Sequence, residues 1–286
     1  MNEVNCKSAL IGCFGQPIWE NPTEFMMEAS FKHHHLKMRY ISTEVSRENL
    51  TSAFEGVKAM GYKGFNCTIP HKQAIIPLLD GLSESAELIG AVNCVVERDG
   101  KYFGENTDGK GYLTSIQELT DPKGKKVVLI GAGGAARAIA IELALVGVRE
   151  IIVVNRNVEK AQELSCHLKE KTSCESSSAQ LGDNYVIPEN TDIVINATCI
   201  GMYPNLTERV PVDIESFKPH MIVSDVIINP PQTSFLQEAA SKGCTTLDGL
   251  GMVVNQAVIC VKVWSGVDVD PRVMQQTLYV LFEIHK

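Results

Sequence analysis

A chain of 286 residues is too long for one ordinary core and predicts two domains, and 44% hydrophobic with 21% charged residues is ordinary for a globular protein. A formal net charge of −8 and an isoelectric point near 5.4 argue against nucleic acid or an anionic membrane as the main partner. No apolar run approaches the ~20 residues of a membrane span, and Met1-Asn2-Glu3-Val4-Asn5 lacks the basic and apolar regions of a signal peptide, so the expected location is cytoplasmic.

The first 110 residues alternate strand and helix. An apolar strand, "SALIGCF", enters the turn "GQPIWENPTEF" (Gly15 to Phe25), and the apolar run that follows reads as a helix. A strand-to-helix turn of this kind suits an anion or a polar ligand; this one offers Glu20, Asn21 and Thr23. His33-His34-His35 reads as a solvated helix end, because consecutive helical residues point about 100° apart and three cannot face one ion. Next come the strand "MRYIST", the amphipathic helix "SRENLTSAFEGVKAMG", and the strands "YKGFNCTI" and "AVNCVVER", ending in the polar cluster "GENTDGKGY".

The centre of the chain is more regular. Strand "KVVLI" leads into the Ala-rich helix "GAGGAARAIAIELALVGV", then "EIIVVNR", the helix "NVEKAQELSCHL", and a surface loop "CESSSAQ". Strands "DIVINAT" and "MIVSDVII", helix "QTSFLQEAASKG" and strand "CTTL" complete the set. Such alternation predicts a parallel, doubly wound sheet. Two helices close the chain, "GMVVNQAVICVKVW" and "PRVMQQTLYVLFEI", and are expected to return to the first domain. The fold class is α/β: an N-terminal substrate domain (1–110, with helices 250–286 returning to it) and a Rossmann-type dinucleotide domain (111–249). The nine cysteines, at 6, 13, 67, 94, 166, 174, 199, 244 and 260, form no CxxC pair, so neither a zinc site nor a disulfide framework is expected.

Gly131-Ala132-Gly133-Gly134-Ala135-Ala136 follows a strand and opens a helix. Gly131 permits the tight turn, Gly133 lets the backbone approach a pyrophosphate, and the anion would rest on the helix N-terminus. At the end of the next strand an NAD site carries an acid. Here stand Asn155, Arg156 and, nearby, Lys160, a pair of cations suited to a 2′-phosphate. NADP(H) is therefore expected, with NAD(H) as the alternative, although Glu159 offsets some of Lys160. In the first domain, Asn66, Thr68, Lys72, Asn93, Asn106 and Asp108 cluster at the ends of apolar strands. A Lys and an Asp converging on one alcohol form a proton-transfer pair, which a nicotinamide dehydrogenase needs because the hydroxyl proton must leave separately from the hydride.

Taken in order, "FNCTIPHK", "IGAVNCVV", "ENTDGKGY", "GAGGAARA", "NR", "NAT", "NPPQT" and "DGLGMVVNQA" resemble the successive motifs of the shikimate dehydrogenase family, including its quinate/shikimate branch. The resemblance implies a substrate domain, a Rossmann domain and a cleft between them. It implies reversible oxidation of a ring hydroxyl in a cyclic polyol carboxylate with NADP(H) or NAD(H). Lys72 and Asp108 correspond to the catalytic pair; Asn93 and Gln256 to ligands of substrate hydroxyls, with Asn66 and Thr68 lining the same pocket. Gly131, Ala132, Gly133, Gly134 and Ala135 correspond to the phosphate loop; Asn155, Arg156 and Lys160 to the clamp of NADP-using members, with Asn157 replacing the usual Thr. Thr198, Gly249 and Met252 match positions beside the nicotinamide half.

The departures are on the substrate side. Where the family places two serines that hold the substrate carboxylate, as S-x-S-P preceded by His, this chain has Glu20 and then Asn21-Pro22-Thr23-Glu24. The tyrosine expected before the "NP" turn is Ile228. Thr23 keeps one hydroxyl and the Asn21 amide can donate, whereas Glu20 would repel an anion. An intact catalytic pair with an altered clamp implies an enzyme with a changed substrate, acting on small molecules as a monomer or homodimer. Two other readings stand beside it: a non-catalytic sensor of a metabolite or cofactor, for which Lys72 and Asp108 would be superfluous, and an ordinary shikimate dehydrogenase of aromatic amino-acid synthesis.

Overall fold

A computed structural model describes residues 7–19 and 21–283; Glu20 and Cys6, both noted in the sequence, lie outside the described residues. The chain divides into two compact units, Met1–Thr107 with Ala257–Lys286, and Asp108–Gln256.

In the first unit the order is β1 (Ala9–Gly15), α1 (Thr23–His33), β2 (Met38–Glu44), α2 (Leu50–Met60), β3 (Gly64–Cys67), α3 (His71–Ala74), β4 (Gly81–Leu82), α4 (Glu84–Ile89), β5 (Cys94–Arg98) and β6 (Lys101–Glu105). The six strands form one sheet ordered β2-β1-β3-β5-β6-β4. β1 runs parallel to β2 and β3, while β5 is antiparallel to β3 and β6. Leu50, Phe54 and Val57 form the buried stripe of α2, at the i, i+4, i+7 spacing of one helical face. Phe54 meets the rings of Phe65 and Tyr102. Two carboxylates tie α1 to its sheet: Glu24 accepts from the Ser42 N–H at 2.8 Å and Glu28 from the Tyr40 N–H at 2.6 Å.

The second unit begins with α5 (Asp108–Gln117) and continues through β7 (Lys126–Ile130), α6 (Gly134–Leu145), β8 (Glu150–Asn155), α7 (Val158–Lys171), β9 (Glu175–Gln180), β10 (Ile193–Asn196), β11 (Ile222–Asp225), α8 (Ser234–Ser241) and β12 (Thr245–Leu247). The sheet is parallel throughout, ordered β12-β11-β10-β7-β8-β9. The strand order reverses between β7 and β10, the point at which doubly wound sheets bind their ligands. β7, β8 and β10 read as continuous apolar runs because helices cover both faces; Val128, Ile130, Val154, Val194 and Val223 fill one of those faces. Helix α9 (Leu250–Ser265) follows, and α10 (Pro271–Leu281) packs beside α1 within the first unit.

Several local expectations are corrected. "CESSSAQ" is not a loop: Glu175–Gln180 is an edge strand paired with β8 over six residues. The run "MIVSDVII" stops pairing at Asp225, leaving Val226, Ile227 and Ile228 as a loop. "GENTDGKGY" holds the end of β6 and the start of α5. His34 is more than a solvated helix end. Asp270 N–H donates to its Nε2 at 2.9 Å, which puts the ring proton on Nδ1, facing the Ser30 carbonyl at 2.9 Å. Six of the eight described cysteines are buried and all eight are free thiols.

Candidate active site

Within the first unit, the polar residues singled out by sequence fall at neighbouring strand ends. Thr68 follows β3, donates its N–H to the Phe14 carbonyl of β1, and accepts from His71 N–H, which starts the short helix carrying Lys72. The Lys72 carbonyl accepts from Val92 N–H at 2.7 Å, and the Asn93 carbonyl accepts from Cys67 N–H. Asn66, Thr68, Lys72 and Asn93 therefore share one backbone framework. The side chain of Asn66 is 6% exposed: its oxygen accepts from Tyr40 Oη at 2.7 Å, and its nitrogen donates to the Asn93 carbonyl at 2.9 Å and to Cys260 Sγ at 3.3 Å. Asn93 is tied to Thr107, the residue before Asp108: Thr107 N–H donates to Asn93 Oδ1 at 2.7 Å and Asn93 Nδ2 donates to Thr107 Oγ1 at 2.9 Å. Asn106 Nδ2 donates to the Ala91 carbonyl. Burial pushes the Cys13 thiol up to about 12 and raises Tyr40 as well, so both remain neutral partners.

The turn into α1 is built differently from an anion cradle. Pro22 is the N-cap residue and has no N–H to offer. Thr23 N–H donates to Asn21 Oδ1 at 2.9 Å, which uses up one of the helix's free donors and the amide oxygen together. Glu24 occupies the first turn. Thr23 itself is buried at 7% exposure.

In the second unit, Gly131 turns the chain with φ +116°, and a Cβ there would meet the Ala197 carbonyl oxygen at 2.8 Å, so a side chain is excluded by conformation and by space. Nothing lies within 4 Å of a Cβ on Gly133 or Gly134. Helix α6 starts there with no side-chain cap and no acid in its first turn. Uncapped N–H groups facing open space at the end of a 12-residue helix fit a pyrophosphate, so the loop Gly131 to Ala135 suits a dinucleotide. At the end of β8, Asn155 Nδ2 donates to the Asn157 carbonyl and Asn157 Oδ1 caps α7 by accepting from Lys160 N–H at 2.8 Å. Arg156 and Lys160 are exposed, and Arg156 has no ion pair or hydrogen bond among the described residues.

Asp108 opens α5, and a Cβ on Gly111, one turn on, would meet the Met252 carbonyl oxygen at 2.5 Å and Gln256 N at 2.7 Å. The helices that carry Asp108 and Gln256 thus touch backbone to backbone. Gly249 is equally tight: a Cβ would lie 2.5 Å from the Ile227 carbonyl oxygen, against the loop that bears Ile228. Thr198 stands beside Gly131, just beyond β10. Around it is a buried network built on Asn196 and Thr233, which fall in the motifs "NAT" and "NPPQT", and on Asp225, which the sequence did not single out. Burial raises the Asp225 carboxyl above its ordinary range, opposed by hydrogen bonds from Asn196, Ile227 and Thr233. The available signal was an acid inside the otherwise apolar run "MIVSDVII".

Comparisons with known proteins converge on one family. Residues 13–95 match the family model of the shikimate dehydrogenase substrate binding domain, and residues 114–225 that of shikimate / quinate 5-dehydrogenase. The chain is similar to shikimate dehydrogenase (NADP(+)) of Desulforamulus reducens, 39% identical over 280 residues and 96% of each chain. Among solved structures it is similar to the ligand-free 5-ketofructose reductase of Gluconobacter sp. strain CHM43, with 49% identity and a TM-score of 0.94 over 97% of this chain and 100% of that one. A shikimate dehydrogenase in complex with NADP+ gives 39% identity and a TM-score of 0.91, over 99% of this chain and 98% of that one.

Proposed function

The chain belongs to the shikimate dehydrogenase family, and on that premise we propose that it is an NADP(H)-dependent oxidoreductase whose substrate is an uncharged polyhydroxylated ketone, of the 5-ketofructose kind, in place of shikimate. The observation that carries the substrate is the turn into α1. Pro22 offers no N–H, Asn21 has taken the N–H of Thr23, and Glu24 adds a negative charge. A carboxylate arriving there finds fewer donors and a like charge; a hydroxyl or carbonyl meets the Asn21 amide N–H and the Thr23 hydroxyl. The relationship to a 5-ketofructose reductase at 49% identity supports the same substrate class.

Bound NADP(H) supplies or accepts the hydride. Gly131, Ala132, Gly133, Gly134 and Ala135 hold its pyrophosphate, Arg156 and Lys160 with the Asn155 turn hold its 2′-phosphate, and Thr198, Gly249 and Met252 lie at its nicotinamide end. Lys72 Nζ moves the proton at the reacting oxygen, with Asp108 as its charged partner. Asn66, Thr68, Asn93 and Gln256 complete the hydroxyl-binding set, Asn66 by holding the Asn93 segment. The unit of residues 1–107 with 257–286 serves as the substrate domain and the unit of 108–256 as the dinucleotide domain, within a few residues of the 1–110, 250–286 and 111–249 expected from sequence. The free thiols suit a reducing cytoplasm, where the enzyme acts as a monomer or homodimer.

The test is kcat/KM for 5-ketofructose reduction with NADPH against shikimate and quinate oxidation with NADP+. Loss of one hydrogen bond to a charged group, about 1.5–3 kcal/mol, predicts shikimate poorer by roughly ten- to a hundredfold than in an enzyme with both serines. Shikimate turnover exceeding that of 5-ketofructose would overturn the substrate assignment and leave the cofactor assignment standing.

A further inference from the structure

The buried network behind Thr198 has a direction. Asp225 Oδ2 accepts from Asn196 Nδ2 at 3.0 Å and from Thr233 Oγ1 at 2.8 Å, and its Oδ1 accepts from Ile227 N–H at 3.0 Å. Asp225 acts as an acceptor at both oxygens, which holds the Asn196 amide with its NH2 toward Asp225 and its oxygen away. That oxygen accepts from Thr198 N–H at 3.2 Å and from Thr198 Oγ1 at 2.7 Å. The backbone N–H is itself a donor, so both ends of the amide demand the same orientation. With its proton committed to Asn196, Thr198 Oγ1 accepts from Ile200 N–H at 3.2 Å, and one lone pair of the hydroxyl is left. Asn196 is fully buried and Asp225 is 1% exposed, so no solvent exchange can blur the pattern, while Thr198 is half-buried at the strand end.

We propose that Asp225 is a positioning residue that sets, through Asn196, the proton direction of Thr198, so that Thr198 presents an acceptor to an N–H donor of the bound ligand, the carboxamide NH2 of the nicotinamide ring. The inference rests on the cofactor assignment above and adds to it the polarity of one contact. It also gives a role to an acid that takes no part in the chemistry. Because the Ile227 backbone N–H can only donate, an amide at position 225 keeps its oxygen there and turns its NH2 toward Asn196 and Thr233; an Asn196 that flipped to accommodate it would face Thr198 N–H with a second donor.

The experiment is calorimetric binding to the full chain, without turnover, of NADP+ and of its 3-acetylpyridine analogue, in which a methyl group replaces the NH2. The unmodified protein binds NADP+ more tightly than the analogue by about three- to tenfold, the value of one neutral hydrogen bond. Thr198→Val brings that ratio close to one and Thr198→Ser keeps it. Asp225→Asn, with a circular dichroism spectrum matching the parent, also brings the ratio close to one. Should Asp225→Asn fail to fold, Asn196→Ala interrupts the same relay and carries the same expectation. A ratio near one in the unmodified protein, or an unchanged ratio in Thr198→Val or in the folded relay variant, overturns the inference. Binding of neither nucleotide to the unmodified protein instead sinks the cofactor assignment, and this inference with it.

Discussion

Replacing Arg156 with Ala tests the cofactor assignment with little risk to the fold. Arg156 is exposed and has no ion pair or hydrogen bond among the described residues, so the change should move stability by no more than about 0.5 kcal/mol. The backbone that presents it is fixed by other residues: Asn155 Nδ2 donates to the Asn157 carbonyl at 2.9 Å and Asn157 caps α7 at 2.8 Å. On the proposed clamp, the variant should lose a charge-assisted contact to the 2′-phosphate, about 1.5–3 kcal/mol, or roughly ten- to a hundredfold in NADP+ affinity at about 1.4 kcal/mol per decade. NAD+ has no 2′-phosphate and should bind as before. Dissociation constants for both nucleotides, with a thermal melt as control, read out the difference. Equal weakening of NADP+ and NAD+, or none of either, would refute the phosphate clamp. Added salt should weaken NADP+ in the parent more than in the variant, because an exposed ion pair is screened.

Lys72→Ala should lower kcat by about 10²- to 10⁴-fold, the usual contribution of a positioned proton-transfer group, with NADP+ affinity unchanged; an unaltered kcat removes Lys72 from that role. Asn21→Ser combined with Thr23→Ser should raise kcat/KM for shikimate by about tenfold or more through a restored charged hydrogen bond, and steady-state kinetics showing no gain count against the turn as the seat of specificity. Tyr40→Phe leaves the buried Asn66 Oδ1 without its 2.7 Å donor, a loss of about 1–3 kcal/mol, visible as a lower melting temperature. Arg272 holds the Asp270 carboxyl at about 2, below its usual 3.8. A depressed folded-state value means the stabilisation is present above about pH 4 and is lost as pH falls toward 2, so Asp270→Asn should flatten the dependence of the melting temperature on pH in that window. A slope unchanged by the variant would assign it to other groups.

The dinucleotide unit was legible because burial on both faces leaves its strands as unbroken apolar runs, and because a glycine turn between such a run and an Ala-rich helix has few other uses. Glu175–Gln180 was not legible for the opposite reason. An edge strand gets its structure from backbone pairing with β8, and a run of serines with only Ser176 buried carries no apolar signal. Val226, Ile227 and Ile228 read as strand from composition alone, yet the chain leaves the ladder at Asp225, whose oxygens take the Ile227 N–H, the Asn196 amide and the Thr233 hydroxyl. Sequence could name Asn66 and Asn93 as polar residues at strand ends. It could not show that Tyr40, Cys260 and Thr107, distant in the chain, already engage their amides.

On the proposed assignment, the turn into α1 lets a family member change what it binds without disturbing its frame. A helix start needs its free N–H groups satisfied, and a bound carboxylate is one way to satisfy them. In this chain Asn21 takes the N–H of Thr23 and Pro22 brings none, so α1 starts correctly with no anion present. The helix is then held to its sheet by carboxylates of its own, with Glu24 on Ser42 N–H and Glu28 on Tyr40 N–H. Glu24, in the first turn, stabilises the helix N-terminus through its dipole while raising the cost of a negative ligand beside it. Fold stability and ligand charge are coupled at this turn: the substitutions that make α1 independent of a bound anion are the ones that disfavour it. Restoring serines at 21 and 23 while Pro22 and Glu24 remain should therefore recover part of shikimate binding, and Glu24→Pro added to the pair should recover more, at a measurable loss in melting temperature from the vacated Ser42 N–H. Shikimate binding that rises with no change in melting temperature would separate the two effects and break this argument.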